Sequence, residues 1–136
     1  MANAGDLKPI QTLQNKLMKV LLNKNYLFST DQLHTDLKIL KIDDILKQEV
    51  LIFVFSQYNK LLPEIFNNCY TTFSNIHTIE TRGNDKQFVI PGHKSKMGER
   101  TVKVYGASLW NKLANRMKEC STVKSFRLEY RKSLSY

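Results

Sequence analysis

Near the start of the chain the apolar side chains fall at Leu13, Leu17, Val20 and Leu21, with Gln14, Asn15, Lys16 and Lys19 on the opposite face. Intervals of three and four residues put such a set on one side of a helix. The pattern predicts an amphipathic helix from Pro9 to Leu22, with Pro9 suited to its first turn and Asn23-Lys24-Asn25 ending it. Ser29 or Thr30 caps a short second helix that packs Leu33 and Leu37 inward and holds Asp31 near its positive end. After a brief link from Lys38 to Ile42, Asp43 reads as the N-cap of a third helix, Asp44 to Leu62, stopped by Pro63. That helix is apolar nearly all round (Ile45, Leu46, Val50 to Phe55, Tyr58, Leu61), so burial on most sides is expected.

After Phe66 the pattern changes. Asn67 to Asn84 is rich in Asn, Thr and Ser and reads as a long irregular segment, a kind that is either functional or ordered by a neighbour. Phe88-Val89-Ile90 is predicted as a short strand stopped by Pro91, and His93 to Glu99 as a polar turn. Arg100 to Tyr105 alternates, with Val102 and Val104 inward, and predicts a second strand that pairs with the first as a hairpin and is broken by Gly106. Ser108 begins a helix to Glu119 that buries Leu109 or Trp110, Leu113 and Met117. Ser121 or Thr122 caps a last helix with Val123, Phe126, Tyr130 and Leu134 on one face and Lys124, Arg127, Arg131 and Lys132 on the other. The expected fold class is mainly α with a small β-hairpin. Three stretches follow: an apolar helical region over 1–66, an irregular linker over 67–84, and a basic hairpin with two helices over 85–136.

Charge sharpens this division. Residues 1–66 hold 8 Lys and no Arg against 7 acidic residues, a net of +1, whereas residues 67–136 hold 8 Lys and 5 Arg against 5, a net of +8. A packed scaffold carrying a surface for polyanions is implied, and nucleic acid is the first candidate, because phosphate contacts draw mainly on Lys and Arg. The candidate contacts are Lys94, Lys96, Arg100 and Lys103 around the predicted hairpin, and Lys112, Arg116, Lys124, Arg127 and Arg131 on the last two helices. Tyr105, Trp110 and Tyr130 lie among them as candidate stacking platforms for unpaired bases. For Trp110, on an apolar helical face, the core reading is preferred.

Other chemistry is sparse. Asp43-Asp44 sits at a helix start, where a cap and dipole partner explains it better than a metal site. His34, His77, His93, Cys69 and Cys120 show no ligand spacing, and Cys69 and Cys120 are read as free thiols of a reducing compartment. Gly92, Gly98 and Gly106 match no phosphate-loop or dinucleotide pattern. Met1 to Lys8 lacks an apolar secretory core, and the longest apolar run, Val50 to Phe55, is far short of the roughly 20 residues a bilayer needs. The expectation is an intracellular protein of nucleus or cytoplasm, with no metal, membrane or small-molecule substrate.

Several segments in order resemble a known family. They are Leu7-Lys8-Pro9-Ile10, Leu13-Gln14-Asn15-Lys16, Tyr26-Leu27, Leu37 to Ile45, Leu61-Leu62-Pro63, Ile76-His77 with Thr81-Arg82, Val104-Tyr105-Gly106, Leu109-Trp110-Asn111 with Leu113, and Phe126. Together they resemble the region downstream of the polymerase core in non-LTR retrotransposon reverse transcriptases, in particular the jockey-like and related endonuclease-bearing clades. The resemblance spans Leu7 to Leu134. It departs at Ala107 and Ala114, where relatives often carry proline.

The resemblance implies that the front helices are similar to a reverse-transcriptase thumb, which grips a template–primer duplex, and that the back half is an extension for RNA handling. It carries Lys16 and Lys19 over as basic positions of the first helix, and Thr81-Arg82 and Trp110-Asn111 as recurrent pairs, which adds Lys16, Lys19 and Arg82 to the candidate contacts. The aromatic-x-Asp-Asp turn of the catalytic palm is missing, since Ile42-Asp43-Asp44-Ile45 matches a different segment. The implied protein binds RNA or an RNA–DNA hybrid, joins the rest of a reverse transcriptase, would use magnesium only when joined to that palm, and does not polymerise alone. The alternatives left open are a helical protein–protein docking element, with the third helix as the docking face, and a retroelement remnant without function.

Overall fold

The computed structural model describes residues 4–75 and 86–134. Seven α-helices are present among them: α1 (Ala4–Leu21), α2 (Thr30–Leu37), α3 (Ile42–Tyr58), α4 (Lys96–Glu99), α5 (Val102–Asn111), α6 (Asn115–Lys118) and α7 (Val123–Ser133). Short 3-10 turns lie at Glu64–Phe66 and Phe73–Asn75. The mainly-α expectation holds. The expected hairpin does not form.

Its absence has a local cause. Thr101 accepts a hydrogen bond from the Val104 backbone N–H and donates to the Gly98 carbonyl at 2.8 Å, which makes it an N-cap. The stretch read as a strand therefore winds into α5, where Val104, Ala107 and Trp110 are buried at helical intervals. Phe88, the other half of the expected hairpin, makes an isolated antiparallel bridge to Thr72. On its other edge the Asn111 side chain stands in for a strand: Phe88 N–H donates to Asn111 Oδ1 at 2.9 Å, and Asn111 Nδ2 donates to the Phe88 carbonyl at 2.8 Å. Next to it, Trp110 Nε1 donates to the Lys86 carbonyl at 2.9 Å. Trp110-Asn111 thus forms a latch on residues 86–88.

The main core lies between α3, α5 and α7. Val50, Leu51, Val54 and Phe55 of α3 meet Ala107 and Trp110 of α5, Met117 of α6, and Phe126 and Tyr130 of α7, with Tyr70 and Phe88 joining from the connecting segments. Phe55 stacks on Phe126 with ring centroids 4.6 Å apart, and the fully buried Trp110 lies among Tyr58, Phe88 and Phe126. Trp110 and Tyr130 are core and offer no face to a base.

The first three helices end alike, each with a residue in the left-handed region: Asn23, Lys38 and Lys60, at φ of 50°, 52° and 56°. Behind each, two reversed backbone bonds close the last turn, as in Leu61 N–H to the Ser56 carbonyl at 2.8 Å and Lys60 N–H to the Gln57 carbonyl at 3.0 Å. This motif ends α3 at Tyr58, before the Pro63 stop expected from sequence. At its start Lys41 occupies the N-cap position without a side-chain cap bond, and Asp43 lies inside the first turn, bonded to Lys47 at 2.5 Å. The Ile42 N–H is satisfied from another helix, by Gln11 Oε1 of α1 at 2.8 Å.

α1 departs most from expectation. It starts at Ala4, more than a turn early, so Pro9 lies inside it. Its polar side faces the protein and its apolar face is turned to solvent. Gln11 also bonds Gln14 and Asn15, Gln14 Nε2 donates to the Leu40 carbonyl at 2.9 Å, and Asn15 Oδ1 meets buried His34 Nε2 at 3.1 Å. His34 Nδ1 lies 2.8 Å from the Ile39 carbonyl. These amide contacts, with buried Met18, seat α1 on α2 and α3.

Candidate nucleic-acid interface

The basic character is concentrated in the described C-terminal residues. Positions 86–134 carry twelve Lys and Arg against Glu99, Glu119 and Glu129, a net of +9. Two of the three glutamates pair within this stretch, Glu119 with Lys86 at 2.5 Å and Glu129 with Lys132 at 2.8 Å. Lys132 beside it, with Arg116 adding, holds the Glu129 carboxyl below its ordinary value. Lys94, Lys96, Lys103, Lys112, Arg116 and Lys124 are exposed and have no carboxylate within ion-pair distance among the described residues.

The α7 helix gives this charge a shape. Thr122 and Ser125 cap it reciprocally, Ser125 N–H to Thr122 Oγ1 at 3.1 Å and Thr122 N–H to Ser125 Oγ at 3.2 Å. Phe126 and Tyr130 are buried, with Val123 and Leu134 partly so. A helical turn of about 100° per residue then places Lys124, Arg127, Leu128, Arg131 and Lys132 on the outward side, and all five are exposed. Arg131 Nε donates to buried Gln48 Oε1 at 2.9 Å, and Arg127 lies 3.8 Å from Glu49. One bond from Nε leaves the two terminal nitrogens of the Arg131 guanidinium free to donate. The pair is held along α3 with binding capacity in reserve.

The other expected contacts are distributed over separate elements. Lys94, Lys96 and Arg100 surround α4, whose N-cap is Ser95, and Lys103 lies in the first turn of α5. Lys96 and Lys103 sit on helical turns, with Lys94 in the bend before α4 and Arg100 at its C-cap, where a hairpin was expected. Lys112 and Arg116 occupy the corner between α5 and α6. Lys16 and Lys19 are on α1, and Lys19 Nζ donates to the Tyr26 carbonyl. Arg82, with Thr81 and His77, lies outside the described residues.

Lys118 escaped the sequence reading. It is only 4% exposed, with its ammonium 5.8 Å from the centroid of the Trp110 ring, and burial, aided by nearby Lys86, pushes its pKa down. No local signal marks a lysine for burial, because the cause is an indole packed from another helix. Lys86 is likewise committed, to Glu119.

Beside this basic surface an apolar groove of about 620 Å³ is lined by Val50, Phe53, Ile65, Phe66, Cys69 and Val102, with Glu49 and Lys103 at its polar side. Among the described residues no group of three or more His, Cys, Asp and Glu is placed to hold a metal ion, and no helix is long and apolar enough to cross a membrane. The chain matches no protein-family model, no curated protein and no solved structure.

Proposed function

We propose that this chain is a nucleic-acid-binding helical module that grips the phosphates of RNA or an RNA–DNA hybrid, with the outer face of α7 as its main contact. Following the resemblance in its sequence, it is the thumb-like and C-terminal part of a non-LTR retrotransposon reverse transcriptase, without a polymerase site of its own. One observation carries the binding reading: Lys124, Arg127, Arg131 and Lys132 share the exposed side of one capped helix, within a stretch of net charge +9. Solvated surfaces usually intersperse both signs. Trp110 and Tyr130 are buried, so the chemistry available is backbone contact, and base stacking on these rings drops out of the proposal.

The test is binding of an RNA hairpin and an RNA–DNA duplex across a salt series. Affinity should fall linearly on a log–log plot, as counterion release requires. Replacing Lys124, Arg127, Arg131 and Lys132 together by Gln should lower the magnitude of the slope by about 3.5, since each phosphate contact contributes nearly one. Binding that ignores salt, or a quadruple variant with an unchanged slope, would overturn the proposal.

A further inference from the structure

The outward stripe of α1 is the largest unexplained feature of the molecule. Ile10, Leu13, Leu17, Val20 and Leu21 are each more than half exposed, Leu13 at 63% and Val20 at 79%, and Tyr26 and Leu27 beyond the helix end are as open. This face is not turned outward by default. The opposite side of α1 is bonded through Gln11, Gln14 and Asn15 to Ile42, Leu40 and His34, so the orientation of the stripe is locked by directional contacts. The five stripe side chains, at roughly 100 Å² apiece, match the larger apolar patches of typical monomers and supply more than half of the ~800 Å² per partner of a standard interface.

We propose that the α1 stripe is the contact face for a second copy of this chain, with two α1 helices pairing side by side. The spacing suits a helix. Ile10, Leu13, Leu17 and Val20 repeat at intervals of three, four and three, which is the spacing of a left-handed helix pair; Ile10 and Leu13 follow the two-stranded preference, and Leu17 and Val20 reverse it. The stripe contains no charge, so it is complementary to itself. In a parallel pair Lys16 flanks the seam opposite Leu21 of the second copy, which receives its aliphatic stem without setting two ammonium groups together. The α2 and α3 helices pack on the far side of α1 and leave the approach open.

The proposal is independent of nucleic-acid binding and is tested without nucleic acid. The full chain is measured by sedimentation velocity and by light scattering after size exclusion, from about 1 to about 300 µM. The expected species is twice the 15.9 kDa chain, giving way to monomer on dilution, with a melting temperature that rises with protein concentration. Leu13→Gln with Leu17→Gln, two exposed sites where Gln keeps helix propensity, should weaken self-association at least tenfold and leave the far-ultraviolet circular dichroism unchanged. Val20→Lys is the second variant and should act alike. A wild-type chain that stays monomeric throughout overturns the proposal, as does a dimer indifferent to both variants. A monomer that co-sediments with phosphatidylserine vesicles overturns it in favour of a membrane surface.

Discussion

Gly106 sits inside α5, where alanine would ordinarily be better by about 1 kcal/mol. The structure reverses that preference. A Cβ built on Gly106 would lie 2.5 Å from the Tyr70 hydroxyl and 2.9 Å from Val54 Cγ2, both closer than real Cβ contacts allow. The Tyr70 hydroxyl has little room to retreat, because it donates to the Val102 carbonyl at 2.9 Å and its ring packs on Phe88. Overpacking of this kind costs about 1–3 kcal/mol, and displacing the hydroxyl forfeits a hydrogen bond worth about 1 kcal/mol. Set against the propensity gain, Gly106→Ala should destabilise by about 1–3 kcal/mol. For a chain of this size that lowers the melting temperature by roughly 4–12 °C. The assay is urea and thermal unfolding of four proteins: wild type, Gly106→Ala, Tyr70→Phe and the double variant. Removing the hydroxyl should relieve the closer clash and leave that with Val54, so alanine should cost at least about 1 kcal/mol less when Tyr70→Phe is already present. A Gly106→Ala protein as stable as wild type would refute the packing argument, and additive single effects would refute the role given to the hydroxyl.

Three further outcomes are expected. Asn111→Leu strands the Phe88 N–H and carbonyl and should cost about 2–4 kcal/mol in chemical denaturation, with the protected Phe88 amide becoming exchangeable. Lys118→Met should raise stability at neutral pH. The lysine's folded pKa is lowered by burial, so its penalty is complete below that lowered value and disappears as pH rises from there toward 10.5. Burial raises the pKa of Tyr70, Tyr105 and Tyr130. Their stabilisation is complete below the ordinary tyrosine value of 10.0 and is lost as pH climbs from there to their folded values, so urea midpoints should fall above pH 10, and less steeply in Tyr70→Phe.

The parts legible in the sequence are those where one residue set admits one solution. α7 carries a cap, a period and a single apolar face, and its exposed cations follow directly. The buried α3 was equally plain, although the Asp43 cap and the Pro63 stop yielded to Lys41 and the left-handed Lys60. It packs within the chain, against α5 and α7. Arg100 to Tyr105 was ambiguous, because alternating valines in so short a stretch satisfy a strand or a helix. Thr101 decided for helix, and Gly106, read as a breaker, is there to admit Tyr70. Trp110-Asn111 stood out as a pair, but its task depends on residues 86–88, over twenty positions away. The candidate interface was legible as composition and as one helix face. The anchoring of Arg127 and Arg131 by Glu49 and Gln48 was not, because about eighty residues separate the partners.

Carboxamides between helices have one further consequence. Hydrocarbon surfaces slide and roll over one another at small cost, whereas Gln11, reaching Ile42 N–H with one atom and its neighbours with another, fits a single rotational setting. α1 is therefore indexed like a gear tooth, and turning it by one residue would break every bond that seats it. In that arrangement the polar amides aim the greasy ridge, and a leucine at position 11, which looks like an improvement in packing, would free the helix to roll inward and take its outer surface with it.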